Sequence, residues 1–135
     1  MPDLTAQLLP RLKKHQLPGL KLPEEFIAPK YDDQSILNIP ASICHWMGIP
    51  EIAGGVLTPE ILLPLGTGIR RVILILMDAL ALHRLQTWMD DGTTPVWRTL
   101  MNAGLLAPLT SISPSTTSAA FRASAMRNTE PTLTG

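Results

Sequence analysis

The chain has 135 residues, enough for one domain in the commonest size range. Its 11 Lys and Arg balance 11 Asp and Glu, so the sequence carries neither a basic face for nucleic acid nor an acidic tail. The single cysteine, Cys44, excludes an internal disulfide and a cysteine-based zinc cluster, and it fits a reducing compartment.

Residues 3 to 15 predict a short helix with Leu4, Leu8, Leu9 and Leu12 on one face and Pro10 limiting its regularity. The apolar run Leu4 to Leu9 is too short for a signal peptide, being broken by Pro10, Arg11, Lys13 and Lys14. Most of the 13 prolines fall in the first half of the chain, a composition that rarely builds a core alone. Residues 1–68 therefore read as a proline-rich arm with short helices, extended from Leu17 to Pro40 and packed over a larger body. Ser42 to Met47 can make one or two helical turns, stopped by Gly48 and Pro50, with His45 and Trp46 as packing or surface residues. Thr58-Pro59-Glu60 starts a helix in the expected way, with threonine as cap, proline at the first position and an acid in the first turn. That helix should end at Gly66.

The central stretch is Arg70 to Leu82, RRVILILMDALAL. Val72 to Met77 is apolar with no two-residue alternation, as expected for a parallel strand covered on both faces. Asp78 follows at its carboxyl end, where open α/β sheets bind ligands. An acid there is either a helix N-cap or a ligand to metal or substrate. The run from Val72 to Leu82 is too short for a membrane span and carries Asp78 in its middle, so a soluble cytoplasmic protein is the default expectation.

A helix from about Ala79 to Asp90 should pack through Leu82, Leu85, Trp88 and Met89, with His83 on its outer side. Thr94-Pro95 opens a third helix, closed by Gly104, and Leu105 to Leu109 predicts a second short strand. A hydroxyl-rich loop, Thr110 to Ala120 (TSISPSTTSAA), comes next. The pattern is α/β, yet neither GxGxxG nor GxxxxGK[ST] follows a strand, which argues against the usual nucleotide-binding domains.

The hydroxyls of Ser115 to Ser118 suit an N-cap region. They also suit the positive end of a helix, where an anion or a developing alkoxide is stabilised. A threonine becomes a useful nucleophile when a divalent metal lowers its pKa. Adjacent parallel strands end about 5 Å apart, so Asp78 and a threonine of this loop could share one cation.

In order, VILILMDAL and then TPVWRTLMNAGLLAPLTSISPSTTSA resemble the opening of the alkaline phosphatase superfamily, in particular the type I phosphodiesterase/nucleotide pyrophosphatase family. The resemblance covers about residues 69 to 120. It matches the strand acid to Asp78, the Thr-Pro to Thr94-Pro95, the Leu and Gly to Leu100 and Gly104, and the Pro-Ser-x-Thr motif to Pro114-Ser115-Thr116-Thr117. What it implies is the N-terminal part of an alkaline-phosphatase-like sandwich with a mainly parallel central sheet. Two divalent metals, usually zinc, would be held in part by Asp78 and Thr117. Thr117, with Thr116 as its neighbouring alternative, would attack a small-molecule phosphodiester or nucleotide pyrophosphate.

The family pattern stops at about Ala120. Arg122 and Arg127 interrupt the helix that should follow the nucleophile, and His15, His45 and His83 all precede the loop. Residues 121–135 thus read as a divergent tail, the mark of a shifted reading frame or a truncated gene model; continuous sequencing of the locus tests this. Without the later Asp and His ligands, the 135-residue chain is expected to be an incomplete and inactive part of a metal-dependent phosphoric ester hydrolase. The rival reading is a non-catalytic interaction module, or a degenerate remnant, whose proline-rich half docks on a partner.

Overall fold

A computed structural model describes residues 3–113, 115 and 116. Five helices follow one another: α1 (Thr5–Lys14), α2 (Ile39–Met47), α3 (Pro59–Leu62), α4 (Leu82–Asp90) and α5 (Pro95–Ala103). Single 3-10 turns precede α2 at Ile36–Asn38 and extend α3 through Leu63–Leu65.

The α/β expectation is overturned. Among the described residues 42% are helical and 4% are in strand-like pairing, with no sheet. That pairing is two isolated parallel bridges, Asp3 with Leu106 and Ser35 with Thr110. The physical reason lies in where Leu105 to Thr110 finds its partners. Leu4 N donates to Leu106 O at 2.9 Å, Thr110 N to Gln34 O at 2.9 Å, and Ile36 N to Thr110 O at 3.0 Å. Side chains reinforce that choice: the Thr110 hydroxyl donates to Gln34 O at 3.1 Å and accepts from Lys30 N at 2.9 Å. The Gln34 amide also donates to Pro108 O at 3.2 Å. The second predicted strand is thereby bound to the N-terminal segments. Val72 to Met77 is left without a ladder among the described residues, and an alkaline-phosphatase-like central sheet does not form there.

The core sits in the proline-rich half. Leu4, Leu8, Leu57 and Ile61 form it, with Ile39, Trp46, Leu105, Ala107 and Leu109 packed against them. Leu8 and Leu12 lie on the inner face of α1, whose last turn carries Arg11, Lys13 and Lys14 where the helix dipole favours cations. Arg11 reaches α3 through a 2.6 Å ion pair with Glu60. Trp46 donates its indole N–H to Leu62 O at 2.9 Å, fixing α2 against α3.

Between these helices lies a buried polar hub. The Asn38 amide nitrogen donates to Tyr31 O at 3.1 Å and Gly54 O at 3.0 Å, and its oxygen accepts from Ser35 N at 2.9 Å. The Ser42 hydroxyl donates to Asn38 O at 2.7 Å and accepts from Leu57 N at 2.8 Å. Two side chains thus satisfy the backbone of three loop segments that no sheet or helix serves, as buried polar groups require.

Candidate functional site

Asp78 terminates the stretch from Val72 to Met77, which runs without helix, turn or bend and is exposed along its length. It does not cap α4, whose cap position is taken by Ala81. Its carboxylate accepts from the next backbone N–H, Ala79 N, at 2.9 Å. Ala79 has φ 57°, a left-handed conformation unusual for a residue with a Cβ. The chain then needs two more residues before α4 begins at Leu82, with extended Ala81 in the cap position. Ala81 has no side-chain acceptor, so the first N–H groups of α4 receive no side-chain cap.

The hydroxyl loop starts at a fixed point, the buried Thr110 anchored to Gln34 and Lys30, and then runs outward. Ser113 N donates to the Tyr31 hydroxyl at 3.1 Å. Ser115 and Thr116 are exposed. Thr117, the expected nucleophile, lies outside the described residues, as do Pro114, Ser118 and the tail after Ala120.

One cleft is lined by the first residue of α4 and by the start of the hydroxyl loop. Its volume is about 750 Å³, within the range of small-molecule sites. Leu12, Leu20 and Phe26 line its apolar side, and Leu82 lines it together with Ser113 and Ser115. The first residue of α4 and the residue two before Thr117 therefore wall the same space.

A metal site is less well provided for. Among the described residues no group of three His, Cys, Asp or Glu side chains converges. Of the two expected ligands only Asp78 is described, and a two-metal centre needs several donors. The described residues do not fit that group.

His45 serves elsewhere, meeting Glu51 at 2.9 Å on the surface. His83 is exposed on α4, as its helical position predicts. The sequence reading missed Gln34, Ser35 and Asn38, which set the loop's anchor. The available signal was the Ser35-x-x-Asn38 spacing, which forms a reciprocal capping pair at the 3-10 turn. No protein-family model, curated protein or solved structure matches the chain.

Proposed function

We propose that residues 69–120 carry the nucleophile-bearing part of a site for phosphoric ester hydrolysis, with Thr117 as nucleophile and Asp78 beside it. The observation that carries this reading is the shared cleft: Leu82, which opens α4 just after Asp78, and Ser115, just before Thr117, line one cavity. The uncapped start of α4 adds to it, because free N–H groups at a helix N-terminus favour an anion. The resemblance of residues 69–120 to the type I phosphodiesterase/nucleotide pyrophosphatase family supplies the reaction type.

The chemistry assigned to the chain's own groups is short. The Thr117 hydroxyl adds to phosphorus, the ester oxygen opposite leaves with a proton, and water then cleaves the phosphothreonine bond. The zinc pair that the resemblance implies finds no donor set among the described residues, so sustained turnover needs donors from outside residues 3–116. The balance of charge and the lone cysteine favour a cytoplasmic protein acting on a small phosphoester rather than on nucleic acid. No helix among the described residues is long and apolar enough to cross a membrane. The rival reading, an interaction module, draws on the exposed apolar run at Val72 to Met77.

Orthovanadate, which adopts the trigonal-bipyramidal shape of phosphoryl transfer, tests the assignment. The chain should bind it, and Thr117→Ala should weaken binding at least tenfold. Absence of binding, or equal binding by both proteins, overturns the reading.

A further inference from the structure

Val72 to Met77 is a continuous run of exposed apolar side chains. Ile73 is 85% exposed and Ile75 75%, and all six residues count as exposed. Among the described residues, no backbone hydrogen bond engages residues 70–77. The run carries no helix, turn or bend and is bounded by a bend at Arg70 and the turn at Asp78–Ala79. An extended, unpaired, apolar segment of this kind is a template for another strand.

Its charges select the partner. Arg70 and Arg71 stand at one end and Asp78 at the other. A parallel, in-register neighbour with the same sequence would set arginine against arginine and aspartate against aspartate, which is destabilising across a strand pair. An antiparallel neighbour of the same sequence reverses this, bringing the basic end of each copy to the acidic end of the other. With Arg70 opposite Asp78, Val72 faces Leu76, Ile73 faces Ile75 and Leu74 faces itself. This register also gathers the two most exposed residues of both copies, Ile73 and Ile75, into one apolar cluster on a single face.

We infer that the chain associates with a second copy of itself through antiparallel pairing of Val72 to Met77, with Leu74 on the two-fold axis. The contact is isologous: each residue meets on the partner the residue that meets it in return. The pairing supplies the backbone partners that the segment lacks within its own chain and covers its isoleucines.

Two measurements on the full chain test this. Sedimentation velocity over a range of concentrations should show a monomer–dimer equilibrium. Ile73→Lys/Ile75→Lys, at two exposed positions the fold does not use, should remain monomeric throughout. Cysteine variants in a Cys44→Ala background then read the register under mild oxidation. Leu74→Cys should form an intermolecular disulfide at least tenfold faster than Leu76→Cys, whose counterpart across the axis is Val72. A wild-type chain that stays monomeric, a lysine variant that associates equally well, or cross-linking at similar rates from both positions overturns the inference.

Discussion

The hydroxyl of Ser42 accepts the Leu57 backbone N–H at 2.8 Å while donating to Asn38 O at 2.7 Å, so one small side chain ties α2 to the segment that leads into α3. Asn38 does the same for the preceding loops. Neither residue offers any chemistry to a ligand. Together they hold the body on which the candidate site is mounted.

Replacement of Asn38 by Ala leaves the buried Ser35 N and the half-buried Gly54 O without these partners. Buried groups stripped of their hydrogen bonds cost about 1 to 3 kcal/mol, and the Asn38→Ala loss should fall at the upper end. Urea unfolding followed by tryptophan fluorescence measures it, Trp46 being packed against the core. A loss within experimental error of zero would show that the hub does not hold the fold.

Gly55 offers a backbone test of the same region. Its φ is +70°, and a Cβ there would stand 3.2 Å from Asp32 O. Gly55→Ala should destabilise by about 1 to 2 kcal/mol, from the left-handed conformation and the close carbonyl together. Gly19, also left-handed but open around its Cβ position, is the control. Gly19→Ala should cost less, and the difference between the two variants isolates the contact with Asp32.

Acid sensitivity should trace to Glu60. The Thr58 hydroxyl donates to its carboxylate, and with Arg11 beside it the Glu60 pKa is lowered from 4.5 to about 2. A depressed acid contributes stability that is fully present above its ordinary pKa and disappears as pH falls through the folded value. The window is therefore from 4.5 down to about 2. For a partly exposed pair the contribution is on the order of 1 kcal/mol after screening. Glu60→Gln should flatten the stability profile in that window and leave its shape above it unchanged. Asp91, whose carboxyl is also lowered by its bonds to Thr93, stays in both proteins and cancels in the difference.

The helices were legible where local chemistry specifies them. Thr58-Pro59 and Thr94-Pro95 open α3 and α5 at the positions read, although neither threonine side chain caps its helix, and Gly48 closes α2 in the left-handed conformation at φ 68°. The start of α4 was not legible, because the delay to Leu82 depends on Ala79 adopting a positive φ, which alanine does not advertise. The central strand failed for a different reason. An apolar run states that a segment needs cover, but not which segment supplies it. Leu105 to Leu109 was the expected neighbour, and Leu4, Gln34 and Ser35, in a stretch read as a mere arm, claim it and the adjoining Thr110 instead. Of the candidate site, the position of Asp78 at the end of the apolar run was legible. The cleft lined by Leu82 and the hydroxyl loop was not, since Leu12, Leu20 and Phe26 belong to that same arm.

The proposed site requires the Asp78 and Thr117 side chains to lie side by side. A soft metal clamp measures this without relying on turnover. In a Cys44→Ala background, Asp78→Cys/Thr117→Cys should bind one cadmium ion through both thiolates, read from the sulfur-to-metal charge-transfer absorbance. Affinity should be at least tenfold above that of either single variant. Cadmium binding no tighter than in the single variants would place the two side chains too far apart and contradict the proposed site.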